Sequence, residues 1–205
     1  MKNKPYIGIY DSGLGGLTVL KEFQRKMPNY NYIYYGDTAH VPYGNKSKES
    51  ILAYSLAAIN FFEKKDVCLI VIACNTVSSL VFDKLQAKTQ IQLVNVIKPL
   101  STYFRSIVQN EQNIKVGVIG TTNTINSNTY EKLLQKINKN IYVYSKACPM
   151  FVPIIEFGFV NHQIADIIIK EYLKKFLDYK IKYLILACTH YPILKNKIYK
   201  YFSSK

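Results

Sequence analysis

Leu69-Ile70-Val71-Ile72-Ala73-Cys74-Asn75-Thr76 and Leu184-Ile185-Leu186-Ala187-Cys188-Thr189-His190 end alike, each carrying an apolar run into Ala-Cys and then a polar turn. An unbroken apolar run of this length, bounded by turn chemistry, predicts a strand buried on both faces of a parallel sheet. Open α/β sheets meet their ligands beyond the carboxyl ends of the strands. Each thiol is therefore expected at a strand tip, beside a substrate. Two equivalent thiols, one from each half of the chain, point to acid/base chemistry on two sides of a small molecule.

Working outward, strand and helix signals alternate as in βαβ units. Pro5 to Tyr10 reads as a first strand, followed by the turn Asp11-Ser12-Gly13-Leu14-Gly15-Gly16 and a helix to about Lys26. Asn31 to Tyr35 reads as a second strand, leading to Gly36-Asp37-Thr38 and the turn Pro42-Tyr43-Gly44. Ser47 is placed to cap a helix with Leu52, Leu56, Ile59 and Phe62 at helical spacing. Val67 to Ala73 and Gln92 to Ile97 complete a first set of strands. Lys115 to Gly120, leading into Thr121-Thr122-Asn123-Thr124, then restarts the pattern. Gly8 precedes Cys74 by 66 positions and Gly117 precedes Cys188 by 71, so both halves repeat an opening strand and a closing Ala-Cys strand. Ile164, Ile168, Tyr172 and Phe176 stripe the helix before the last strand. The expectation is an α/β fold of two similar lobes, residues 1–98 and 99–205, with mainly parallel sheets. They are expected to be related by a pseudo-twofold axis, with the active site in the cleft between their strand tips.

The chain has 205 residues, 49% of them hydrophobic and 20% charged, which describes a globular protein and excludes a disordered one. No apolar stretch is long enough to span a bilayer. Met1-Lys2-Asn3-Lys4-Pro5 is basic but runs straight into a strand, unlike a signal peptide. A cytoplasmic protein without a membrane partner is expected. The net charge of +14 comes almost wholly from scattered lysines, since Arg25 and Arg105 are the only arginines. Nucleic-acid binders concentrate charge on one face and favour arginine forks, so solvated lysine faces are expected and no nucleic-acid partner. The positive field also suits an anionic small substrate.

Cys68, Cys74, Cys148 and Cys188 contain no Cys-x-x-Cys pair and fit no zinc module, so no metal is expected. Cys68, inside an apolar run, is expected to be a small core residue, and Cys148, before Pro149, to be structural. Cys74 and Cys188 are different because they occupy matching strand ends. A following helix start would supply amides that favour thiolate. A thiol pair across a carbon acid removes a proton from one face and returns one to the other, inverting the stereocentre. Gly13-Leu14-Gly15-Gly16-Leu17-Thr18 lacks the third glycine of a dinucleotide fingerprint, and no Gly-Lys-Ser/Thr follows as in a P-loop. Its amides and Ser12 suit a carboxylate, and Asp11 suits a substrate ammonium or the orientation of a thiol. His190, two residues after Cys188, can receive a proton or lower the thiol's pKa. A turn histidine capping the next helix is the plainer reading. His40 and His162 are expected to be surface or structural residues.

Asp11-Ser12-Gly13-Leu14-Gly15-Gly16-Leu17-Thr18-Val19, Gly36-Asp37-Thr38-Ala39 with Pro42-Tyr43-Gly44, Ala73-Cys74-Asn75-Thr76 and Ala187-Cys188-Thr189-His190-Tyr191-Pro192 resemble the glutamate racemases of the aspartate/glutamate racemase family. The motifs come in that family's order and spacing over essentially the whole chain, and Val152-Pro153 with Glu156 resembles a further segment. The resemblance implies interconversion of L- and D-glutamate without cofactor, supplying D-glutamate for peptidoglycan. It implies that Cys74 exchanges the α-proton with the D-enantiomer and Cys188 with the L-enantiomer. Asp11 would assist Cys74, His190 would assist Cys188, and Glu156 is a further catalytic candidate. Asp11, Ser12, Tyr43, Gly44, Asn75, Thr76, Thr189 and His190 would bind the amino acid, with Thr121 and Thr124 adding contacts to its carboxylate.

Two departures from the family pattern stand out. His40 takes the place of an arginine found in many members. The family also continues by about one helix–strand–helix unit beyond the second cysteine motif, whereas this sequence reaches Lys205, so apolar surface on the first lobe is expected. Aspartate or another amino acid as substrate, a glutamate-binding protein without catalysis, and a homodimer all stay open at this stage.

Overall fold

The computed structural model describes residues 5–108 and 111–204. Met1 to Lys4, on which the reading of the amino terminus partly rests, and Lys205 lie outside the described residues. The contacts divide the chain into two compact units, Met1–Ile97 and Lys98–Lys205.

The first unit runs β1 (Tyr6–Asp11), α1 (Leu17–Lys26), β2 (Asn31–Gly36), α2 (Lys48–Glu63), β3 (Val67–Ile72), α3 (Asn75–Leu80), α4 (Phe82–Gln86) and β4 (Gln92–Asn95). Its four strands lie in the order β2-β1-β3-β4, all parallel. Period-two alternation divides the side chains between the two faces. Tyr10, Ile70 and Ile72 pack with Ile51, Ile59 and Phe62 of α2, whereas Ile7, Ile9, Val71 and Ala73 pack with Val19, Leu20 and Phe23 of α1. Gly8 lies beneath the Phe62 ring, where an added Cβ would come within 2.9 Å. No residue of α1 is fully buried, although Ile7, Ile9, Val71 and Ala73 on that face of the sheet are inaccessible.

Three local expectations change here. Ser47 does cap α2, accepting from the Ser50 amide at 3.1 Å, but the buried positions are Ile51, Ser55, Ala58, Ile59 and Phe62, with Leu52 and Leu56 only half-buried. Adjacent apolar stripes compete for the inner face of this helix, and spacing alone does not choose between them. β4 ends at Asn95 rather than Ile97, because the Asn95 side chain accepts from the Ile97 amide at 2.7 Å and turns the chain. Cys68 is exposed, not core: it occupies the amino-terminal half of β3, where burial is incomplete.

The second unit runs α5 (Lys98–Val108), β5 (Ile114–Gly120), α6 (Thr122–Asn126), α7 (Thr129–Ile137), β6 (Ile141–Ala147), α8 (Phe151–Glu156), α9 (Gln163–Tyr179), β7 (Tyr183–Ala187) and α10 (Lys195–Ser203). Its parallel sheet has the order β6-β5-β7. β7 is thus an edge strand whose Tyr183 to Leu186 are only half-buried, against the expectation of burial on both faces. The centre is β5, with Val116, Val118 and Ile119 inaccessible. In α9 the inner stripe is Ala165, Ile169, Leu173 and Phe176; Ile168 and Tyr172 flank it and Ile164 is exposed. That helix is apolar around a wide arc, so its inward face follows from packing. Among the described residues, no helix is long and apolar enough to cross a membrane.

Candidate functional site

The first cluster gathers at the carboxyl ends of β1 and β3. The Ala73 amide donates to the Tyr10 carbonyl at 2.8 Å, extending the parallel pairing to the residue before Cys74. Asp11, wholly buried, closes the glycine turn: its Oδ2 accepts from the Gly13 amide at 3.1 Å and the Gly16 amide at 3.0 Å. A Cβ on Gly16 would stand 2.4 Å from the Asp11 Cβ, so this close approach requires glycine. Cys74 caps α3, and its Sγ donates to Ser12 Oγ at 3.4 Å. Asp11, Ser12, Cys74 and Thr76 are thereby brought together, with Asn75 half-buried beside them.

The electrostatics of this thiol reverse an expectation. Amides of Thr76 and Val77 and the Ser12 hydroxyl favour the thiolate, as the strand-to-helix placement suggested. Burial outweighs them, the Asp11 carboxylate adds to it, and together they push the Cys74 thiol up to about 11. At neutral pH Cys74 therefore holds its proton.

Tyr43 and Gly44, in the 3-10 turn Tyr43–Asn45, are buried next to this cluster. The Tyr43 hydroxyl donates to Asp37 at 2.5 Å and lies 3.0 Å from the Tyr10 hydroxyl. Its side chain thus serves the interior, and its carbonyl accepts from the Lys46 amide at 3.1 Å. His40 is half-exposed, stacked on Tyr54 at 4.0 Å between ring centroids.

The second cluster lies at the carboxyl ends of β5 and β7, where Gly120 pairs with Ala187 and brings Thr121 and Cys188 to neighbouring strand ends. Thr121 caps α6, accepting from the Thr124 amide at 3.3 Å, with the two hydroxyls 3.0 Å apart. Cys188 is buried and its Sγ stands 3.9 Å from His190 Nδ1, which also has Thr189 Oγ1 at 3.4 Å. His190 Nε2 lies 2.5 Å from Glu156 Oε1 at the end of α8. With the carboxylate accepting from Nε2–H, Nδ1 keeps its lone pair toward the thiol. No regular helix starts directly after Cys188: a 3-10 turn, Tyr191–Leu194, precedes α10. The two cysteines are therefore served differently, one by amides and a carboxylate, the other by an imidazole.

Cys148 is buried, and burial raises its thiol to about 12, in keeping with a structural role; its carbonyl accepts from the Tyr191 hydroxyl at 2.8 Å. Three neighbours of the clusters went unassigned in the sequence. Tyr10 and Asp37 meet Tyr43, and Tyr130, whose pKa burial raises with Cys188 adding to it, lies near that thiol. Only the Gly36-Asp37-Thr38 motif signalled any of them. Among the described residues no group of three or more His, Cys, Asp or Glu is placed to hold a metal ion.

Two units, each built on a parallel sheet with a buried cysteine at a strand tip, make this a protein of the α/β class, in which ligands are generally met at the carboxyl edges of the sheets. The sequence matches the Asp/Glu/Hydantoin racemase family over residues 18–204. It is 46% identical to the glutamate racemase of Sulfurihydrogenibium sp. (strain YO3AOP1), over 94% of this chain and 73% of that protein. The structure resembles glutamate racemase from Francisella tularensis in complex with D-glutamate, with a TM-score of 0.87 and 44% identity over 99% of this chain and 75% of that one. It also resembles the RacE1 isoform from Bacillus anthracis, with a TM-score of 0.88 and 34% identity over 98% of this chain and 74% of that one. The chain belongs to the Asp/Glu/Hydantoin racemase family.

Proposed function

We propose that the protein is a cofactor-independent glutamate racemase in which Cys74 and Cys188 exchange protons with opposite faces of the α-carbon, supplying D-glutamate for peptidoglycan in the cytoplasm. The reading of the activity rests on family membership and on the similarity to glutamate racemases. The mechanism is carried by one observation: the two thiols have different proton partners.

With L-glutamate, Cys188 passes its proton to His190 Nδ1, and Glu156 stabilises the imidazolium through Nε2. The resulting thiolate takes the α-proton. Cys74, held protonated by burial and Asp11, delivers its own proton to the other face. One proton leaves the substrate and one arrives, so atoms and charge balance. From D-glutamate the roles reverse, and Asp11 is the base that must accept the Cys74 proton. Ser12, Asn75, Thr76, Thr121, Thr124, Thr189 and the Tyr43–Gly44 backbone supply the donors and acceptors for a zwitterion with a second carboxylate.

The test is incubation of either enantiomer in D₂O. The expected result is deuterium at the α-carbon of the product, from glutamate and not from aspartate. Absence of α-deuterium with both glutamate enantiomers overturns the proposal.

A further inference from the structure

Asp37 has no part in the chemistry above, yet it joins two loops of the candidate binding site. Its amide donates to the Asp11 carbonyl at 3.1 Å, fastening it to the tip of β1. Its carboxylate, 8% exposed, accepts from the Tyr43 hydroxyl at 2.5 Å and faces His40 Nδ1 at 2.8 and 2.9 Å. Behind Tyr43 the network is polarised. Tyr43 donates to Asp37 and Ser55 donates to the Ile51 carbonyl at 2.7 Å. The single Tyr10 proton is therefore shared between the Tyr43 and Ser55 oxygens, at 3.0 and 3.1 Å. This arrangement anchors Tyr43 to β1 and α2 at one end and to Asp37 at the other.

We propose that Asp37 is a positioning residue for substrate binding, clamping the Pro42–Asn45 turn through the Tyr43 hydroxyl while its amide holds the Asp11 turn. The proposal rests on the racemase reading. Without Asp37 the Tyr43 hydroxyl loses its charge-assisted acceptor and is left to turn toward the Tyr10 oxygen at 3.0 Å, which frees the turn from the tip of β1. The backbone of Tyr43 and Gly44 then drifts from the position that meets glutamate. Loss of ground-state positioning raises KM more than it lowers kcat.

Steady-state kinetics of the wild type, Asp37→Ala, Tyr43→Phe, the double variant and His40→Ala test it, with thermal unfolding as the folding control. Asp37→Ala and Tyr43→Phe are each expected to raise KM for glutamate about tenfold, as for loss of a charge-assisted hydrogen bond. The double variant is expected to match the larger single effect, since the Asp37–Tyr43 bond is lost in either single variant. His40→Ala, at a half-exposed site that tolerates truncation, is expected to raise KM about threefold by loosening Asp37. If Asp37→Ala fails to fold, Tyr43→Phe and His40→Ala decide. Additive effects in the double variant, or wild-type KM in the folded variants, overturn the clamp while leaving the racemase reading intact. A wild-type protein that exchanges no α-hydrogen overturns both.

Discussion

Glu156 and His190, 34 residues apart, meet through Oε1 and Nε2 at 2.5 Å, the carboxylate 21% exposed and the imidazole 3%. With Nε2 held by the carboxylate, Nδ1 is the ring nitrogen that stands 3.9 Å from Cys188 Sγ, so a residue of α8 is linked to that thiol through the imidazole.

Glu156→Gln therefore tests the tautomer. A glutamine amide can donate to Nε2, moving the ring proton to Nδ1 and closing the path from the Cys188 thiol. Racemisation starting from L-glutamate is expected to fall about a hundredfold, the contribution of one general base. The measurement is the initial rate by circular dichroism, with near-UV spectra confirming the fold.

Replacing either sulfur is expected to remove one face of the proposed reaction. Cys74→Ala and Cys188→Ala are each expected to lower racemisation by at least about a hundredfold. Unchanged turnover in either variant excludes a two-thiol mechanism.

Cysteine reactivity separates the thiols. Cys68 is exposed and is expected to be the first alkylated by iodoacetamide at pH 7, whereas Cys74 stays protected. The Cys74 pKa is raised from 9.0 to about 11, so its labelling accelerates as pH climbs toward 11. The stability effect has a matching sign. The folded state keeps this proton where the unfolded chain has lost it, so the contribution present below pH 9 is lost as pH rises through about 11. Peptide mass spectrometry across pH reads the first effect, and urea unfolding of wild type against Cys74→Ala reads the second.

Gly16→Ala strikes the Asp11 turn directly. The new methyl would overlap the Asp11 Cβ at 2.4 Å, so the carboxylate must leave its two amides. A destabilisation of about 1–3 kcal/mol is expected, as for overpacking a tight site. Activity is expected to fall with it, and an Ala tolerated without loss of either would contradict this geometry.

Ser47→Ala offers a control remote from the chemistry. It removes the acceptor for the Ser50 amide at the start of α2, and a loss of about 1 kcal/mol is expected by urea denaturation.

Much of this arrangement is legible locally. The Ala-Cys strand ends, the Asp-Ser-Gly turn, the Ser47 cap and the parallel α/β order all follow from residues close together in sequence. What failed to read locally was equally specific. Cys68 looked like core because a strand's apolar run does not say how far along it burial extends. Leu52 and Leu56 gave way to Ile51 and Ser55, and Ile168 and Tyr172 to Ile169 and Leu173, because neighbouring apolar stripes differ only in what the sheet presents to them. β6 drew no assignment: its exposed Tyr142, Ser145 and Lys146 at the sheet edge weaken the apolar signal.

By itself the chain's order of residues determined two strand–helix series, a cysteine at the end of a strand in each, and membership of a racemase family, since periodicity, turn chemistry and motif spacing are short-range properties. Tertiary structure decided the rest. It raised the Cys74 thiol pKa instead of lowering it, matched Glu156 to His190, and set Asp37 against Tyr43. The physical reason is shared by all three: desolvation and hydrogen bonding depend on which groups meet through space, and those groups come from separate elements of the chain.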